Sequence, residues 1–459
     1  MRRRRVGVLA LLGLLRLVGG CNTGAQPTPG PAPGATDWAW YGRDLQNGRT
    51  AAAGHGQPGP SAWTLTPAAV TSTPIVVGGR VCFAAWDGTL RAVSVRDGAA
   101  LWTTTLQHSA NATPVYADGA LYLGDSAGVL YRVNWADGGI VWSSSLDPSP
   151  GASLYGSPVV VDGLVILGVA SYQEALPPQR QRFRGSLVAL DPATGQERWR
   201  LYTTPGDATA GPGVAIWSTP VFDAARDLVF VGTGNTYDAP AAPLADGILA
   251  VHARTGTLAW HRQFTAGDVF ADSHPVGPDS DVGATANLFT VAGRDVVGVG
   301  DKGGHYTVMD RDSGEVVWTR QLTPGNYLGG VMASTAVADG TVYVVSNRWA
   351  NLMAWSDPGN GSTAFALNAA DGSTTWQTAL PSPCFGGLVV AGDDVYVPTV
   401  NGTIYGVRRT DGGIAWRSTA TAPMGGSPSV AEGYLFVPFG FSDESFRAPG
   451  GLSAFPLPN

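Results

Sequence analysis

Short apolar runs alternate with glycine turns along this chain in one recurring order. A small-residue signal comes first, such as Ser72-Thr-Pro74, Gly156-Ser-Pro158, Ser218-Thr-Pro220 or Gly426-Ser-Pro428. A strand of alternating valines follows, then a short turn and a second strand. The unit ends on another short alternating strand, a tight turn built on Asp and Gly, and a strand that closes in tryptophan. The stretch Tyr306-Thr-Val-Met-Asp310-Arg-Asp-Ser-Gly314-Glu-Val-Val-Trp318 shows that second half.

Aligning the tryptophans brings out seven copies, closing at Trp102, Trp142, Trp199, Trp260, Trp318, Trp376 and Trp416, with spacings of 40, 57, 61, 58, 58 and 40 residues. Each tryptophan is led by a turn such as Ala189-Leu-Asp-Pro-Ala-Thr-Gly195 or Ala250-Val-His-Ala-Arg-Thr-Gly256. Four short strands at this period mean propeller blades, each of which needs its neighbour to bury its face. The last unit reaches Leu452-Ser-Ala-Phe455 without a closing tryptophan, whereas Trp63 stands alone ahead of the first unit. The economical solution is an all-β, eight-bladed β-propeller of four-stranded antiparallel blades. Its N-terminal strand completes the last blade and removes the open edge.

Composition agrees with that architecture. Of 459 residues 63 are Gly and 15 are Trp, and only 14% are charged, which excludes a disordered chain and a helical bundle. A net charge of −7 makes nucleic acid a poor partner. Residues 1–21 read as a targeting segment: Arg2 to Arg5, a short apolar stretch to Val18, then Gly19-Gly20-Cys21. A small pair before cysteine resembles a bacterial lipoprotein signal, which implies lipidation of Cys21 and an extracytoplasmic protein held to the membrane through that anchor alone. Residues 22–36, rich in Pro and Gly, form a tether, and 37–459 the propeller. No second apolar run is long enough to span a bilayer. Cys82 and Cys384, 302 residues apart, read as two buried thiols, with a disulfide as the alternative. No Cys-x-x-Cys-His occurs, so no c-type haem is attached to this chain.

The Ala-x-Asp-x-x-x-Gly-x-x-x-Trp unit, as in Ala189 to Trp199, resembles the repeat of pyrroloquinoline quinone (PQQ) propellers. Two kinds of protein share it: the quinoprotein alcohol dehydrogenases, in particular the polyvinyl alcohol dehydrogenase branch, and a quinone-free outer-membrane assembly lipoprotein. Four stretches outside the repeat resemble the enzymes. They are Asp37-Trp-Ala-Trp-Tyr-Gly-Arg-Asp-Leu-Gln-Asn47, Ser171-Tyr-Gln-Glu174 with Arg184-Gly185, Ile216-Trp217 with Val231-Gly-Thr-Gly-Asn235, and Asp279-Ser-Asp281 with Lys302-Gly-Gly304.

The resemblance implies a role for each of these residues. Trp217 would be the aromatic floor under the quinone. Glu174, Asn235 and Asp281 would ligate calcium, a hard cation suited to oxygen donors that would act as a Lewis acid on the quinone. Asp281 would also take the alcohol proton as general base, with Asp279 the alternative acid. Lys302 would contact the quinone oxygens, and Ser171 a cofactor carboxylate. Lys302 is the single lysine among 28 basic residues, and a compact ammonium is not interchangeable with an arginine fork. The adjacent cysteine pair and the fused cytochrome of some relatives are both missing, so electrons would pass to a separate, cytochrome-like acceptor. Two readings follow. One is PQQ- and calcium-dependent alcohol oxidation; the other is a non-catalytic envelope scaffold. They separate on whether Glu174, Asn235, Asp281 and Lys302 face one funnel.

Overall fold

A computed structural model describes residues 32–51, 56–207, 209–273, 275–350, 357, 359–441 and 449–458. The signal segment with Cys21 and residues 22–31 of the tether lie outside the described residues. The described chain forms eight antiparallel sheets arranged as propeller blades. Blades 1 to 7 occupy residues 75–105, 115–145, 159–202, 221–263, 287–321, 336–380 and 389–419. Blade 8 takes three strands from the C-terminal end, Ser429–Ala431, Tyr434–Phe439 and Gly451–Pro456, and its outermost strand, Trp63–Leu65, from the N-terminal end. Trp63 pairs with Ala454 and Leu65 with Leu452 in that join.

The repeat has a packing cause. The turn glycines Gly98, Gly138, Gly195, Gly256, Gly314, Gly372 and Gly412 all have φ between 67° and 75°. A Cβ on any of them would lie 2.5–3.1 Å from the tryptophan ring of the preceding blade. Glycine is therefore required twice, for backbone conformation and for space. The indole N–H of each docked tryptophan donates to a carbonyl of the next blade at 2.8–3.2 Å, from Trp63 to Val95 through Trp376 to Arg409. Trp63 is thus the missing eighth tryptophan. The interface from blade 7 to blade 8 differs: Trp416 meets Phe455 edge-on at 5.5 Å.

The small-residue signals do the corresponding work at the inner ends. Thr73 N–H donates to the Thr113 hydroxyl, Thr113 to Ser157, Ser157 to Thr219, Thr219 to Thr285 and Thr285 to Ser334, at 2.8–3.2 Å. Each bond crosses to the following blade, so a hydroxyl at this position ties neighbouring inner strands.

One feature was not legible as structure in the sequence. Residues 38–49 run across the propeller axis and pair with inner strands of six blades: Trp38 with Val76, Ala39 O with Tyr116, Leu45 O with Phe222, Gln46 O with Leu288, Gly48 O with Val337, and Arg49 O with Val390. The innermost strands would otherwise leave backbone groups unpaired. Cys82 and Cys384 are free and buried, so the disulfide alternative does not hold. No helix of the described residues is long and apolar enough to cross a membrane.

Candidate functional site

A funnel-shaped cavity of about 500 Å³ opens at the axis. Ser171, Glu174, Trp217, Asn235, Asp281 and Lys302 all line it, although they span 131 residues of sequence. They come from blades 3, 4 and 5, at or just beyond the ends of second strands and in the loops between blades. Tyr41, from the axial segment, lines it too, with its hydroxyl 2.9 Å from Ser334.

Local structure explains each placement. Glu174 sits in a one-turn 3₁₀ helix, Gln173–Ala175. Gln173, buried beside it, pins that turn: its side chain donates to Pro150 O and accepts from the N–H groups of Arg182 and Phe183. The Ser171 hydroxyl accepts from Gln173 N–H at 2.9 Å, so Ser171 shapes this loop as well as facing the cavity. Trp217 rests on Gly283, where a Cβ would lie 1.7 Å from the indole; only glycine lets the ring lie there. Asn235 uses its amide N–H groups on Thr236 O and Phe270 O, at 3.0 and 2.6 Å, which leaves its side-chain oxygen as an acceptor at the cavity wall.

Lys302 is the centre of the electrostatics. Its turn joins the strands Arg294–Gly300 and His305–Asp310 of blade 5. The Nζ lies 2.9 Å from both oxygens of Asp279 and 3.0 Å from Oδ2 of Asp281. It also sits 5.8 Å from the centre of the Trp217 ring and 5.6 Å from that of Tyr327. Burial works against the ammonium, but Asp281, Asp279 and Glu174 outweigh it and hold the Lys302 pKa well above the ordinary lysine value. The other oxygen of Asp281 accepts Asn235 N–H at 2.6 Å, so this carboxylate is oriented from two sides.

The two candidate acids separate by position. Asp281 faces the cavity, whereas Asp279 is fully buried behind Lys302 and grips it with both oxygens. Burial pushes the Asp279 carboxyl up to about 7 against the pull of Lys302. Burial also raises Glu174 well above the usual carboxylate range, with Lys302 opposing and Asp281 reinforcing the shift. A further acid, Asp246, was missed in the sequence. It is buried with neither side-chain oxygen hydrogen-bonded, and burial, then Asp281 and Asp268, raise its pKa. Nothing in the Ala-Asp-Gly247 stretch signals it, because its depth is a tertiary property.

A cofactor fits these residues on three observations: the glycine cradle that lays Trp217 flat, the unshared Asn235 oxygen, and an ammonium fixed between two acids. For a hard cation the donors would be two carboxylates and one amide. Among the described residues no three His, Cys, Asp or Glu side chains gather in metal-holding geometry.

Fold and cavity together define an eight-bladed propeller with PQQ-type repeats and a single-use polar site at its mouth. The chain belongs to the PQQ-repeat family whose model is described as "Outer membrane protein assembly factor BamB", which matches residues 46–246, 244–380 and 360–448. It is 33% identical over 262 residues to a polyvinylalcohol dehydrogenase from Pseudomonas sp, covering 51% of this chain but only 40% of that protein's length. In structure it resembles the quinohemoprotein alcohol dehydrogenase ADHIIG from Pseudomonas putida HK5, with a TM-score of 0.79 at 19% identity over 94% of this chain and 83% of the other. BamB from Moraxella catarrhalis shares the fold less closely, with a TM-score of 0.60 at 16% identity over 86% of this chain and 99% of the other.

Proposed function

We propose that this propeller binds PQQ with calcium and oxidises an alcohol, passing the electrons to a separate acceptor. The observation that carries this reading is the convergence of Ser171, Glu174, Trp217, Asn235, Asp281 and Lys302 on one cavity. Likeness to a polyvinylalcohol dehydrogenase supports the substrate class.

When bound, PQQ would supply the two-electron acceptor for hydride from the alcohol carbon, with calcium polarising it. Trp217, set against Gly283, would support the ring by stacking. Glu174, Asn235 and Asp281 would hold the cation through oxygen. Lys302, pinned by Asp279, would present a fixed positive charge to the cofactor oxygens. Asp281, oriented by Asn235 N–H and Lys302, would accept the hydroxyl proton of the alcohol at a carboxylate oxygen. Lipidation at Cys21 and an extracytoplasmic location complete the reading, supported by the sequence of residues 1–21.

The scaffold alternative is favoured by the description of the family model. It gives no reason to bury one lysine among three acids, an arrangement that costs stability unless it does something. The deciding measurement is titration of the purified protein with PQQ and Ca²⁺, followed by quinone absorbance and melting temperature, beside Asp281→Asn and Trp217→Leu. Calcium-dependent binding weakened by both substitutions is expected. Binding absent, or indifferent to both, would leave the scaffold.

A further inference from the structure

The cavity has two chemically opposite walls. Its Asp, Glu and Lys lining residues, Glu174, Asp272, Asp281 and Lys302, all belong to blades 3 to 5 and the loops joining them. The wall from blades 7, 8 and 1 contains no Asp, Glu, Lys, Arg or His among its described lining residues. In an eight-bladed ring blade 8 stands opposite blade 4, so the two walls face each other across the axis.

The wall from blades 7, 8 and 1 carries a chain of aromatic rings. Trp86 and Phe441 meet edge-on at 6.1 Å and 83°. Phe441 and Phe385 are 5.8 Å apart at 57°, and Phe385 is backed by buried Trp349 at 6.1 Å and 45°. Trp86 is fixed by its indole N–H on the Thr71 hydroxyl at 2.7 Å, whereas Phe385 and Phe441 are only half-buried and line the cavity. None of these rings is a blade-closing tryptophan. Trp86 and Phe441 follow the second strands of blades 1 and 8, and Phe385 lies in the loop joining blades 6 and 7, at the position Trp217 occupies ahead of blade 4.

We propose that Trp86, Phe385 and Phe441 form the specificity wall for the body of the alcohol, and that the substrate class is an alcohol carried on an aromatic ring. This rests on the alcohol-oxidising reading above. The hydroxyl belongs at Asp281, because a proton acceptor is there. The body then extends toward the opposite wall, which among the described residues offers no charge and a row of tilted ring edges. An incoming ring continues the edge-to-face row, the arrangement aromatic pairs prefer.

The test uses benzyl alcohol, ethanol and polyvinyl alcohol with the full chain, and Phe385→Leu, Phe441→Leu and the conservative Phe385→Tyr. In protein loaded with PQQ and Ca²⁺, each Leu variant should raise KM for benzyl alcohol by about 3- to 10-fold, the worth of one aromatic pair. The kcat, the ethanol KM and the PQQ affinity should stay as they were, and Phe385→Tyr should restore the KM. Saturation-transfer NMR on cofactor-free protein should show benzyl alcohol in contact, with the signal reduced in both Leu variants. Weaker PQQ binding in the Leu variants, with no change in benzyl alcohol KM, would assign the rings to the cofactor and overturn the proposal. So would a preference for ethanol or the polymer that is indifferent to these variants. If PQQ does not bind wild-type protein, the functional reading fails separately, and the NMR contact then decides the wall by itself: present, it supports the aromatic specificity; absent, it removes it.

Discussion

The outer ring of blade interfaces and the axial funnel solve opposite problems with the same strands. At the ring, seven tryptophans meet seven glycine turns in one repeated geometry. Acids there are ionised and paired: Asp191 is held below the usual range by Arg198, and Asp310 is lowered to about 2, first by Arg294. In and behind the funnel the charged residues do not repeat from blade to blade, and Glu174, Asp246 and Asp279 are raised by burial. Ring acids add stability when charged; funnel acids lose it. A fold that repeats its stabilising device seven times around can carry such a cost at the centre, where chemistry gathers perturbed groups.

Breaking the ring should have the largest effect on stability. Trp318→Ala removes a buried ring and its bond to Ala369 O, and should cost about 3–5 kcal/mol in urea unfolding. PQQ affinity in the surviving folded protein should be unchanged. Lys302→Arg tests the opposite pole. The charge stays, but a planar fork replaces a compact ammonium at 2.9–3.0 Å from two acids. PQQ binding should weaken by about 10- to 100-fold, or about 1.4–2.7 kcal/mol, with a smaller change in unfolding.

Asp246→Asn sharpens the contrast in pH. Because the folded pKa of Asp246 is raised, the native state keeps a proton that the unfolded chain releases, and stability falls as pH rises above the ordinary carboxylate range. A neutral amide carries no ionisation cost, so the variant should gain about 1 kcal/mol or more on wild type at pH 8 and nothing in going to pH 4. Asp310→Asn should do the reverse, and least. The depressed pKa of Asp310 contributes stability above about pH 4 that is lost as pH falls toward 2. The variant should melt slightly lower at pH 6 and match wild type at pH 2. Melting curves at the paired pH values check both signs.

Much of this molecule was legible because its causes are local. The Gly-x-x-x-Trp period appears in sequence since each turn needs a positive-φ glycine and each closing strand a tryptophan to cover the next one. The lone Trp63 disclosed that the chain's ends meet, because a ring of eight interfaces lacked one partner. The funnel residues were legible only through resemblance to enzymes of the same repeat family. Tertiary structure alone decided that Asp281 faces the cavity and Asp279 grips Lys302, two residues apart and on different sides of a buried charge. It alone decided that Asp246 lies unpartnered, that residues 38–49 cross the axis, and that Trp86, Phe385 and Phe441 share a wall. Periodicity records what each blade needs of its neighbour. It carries no record of which loops, 300 residues apart, the closing of the ring brings face to face.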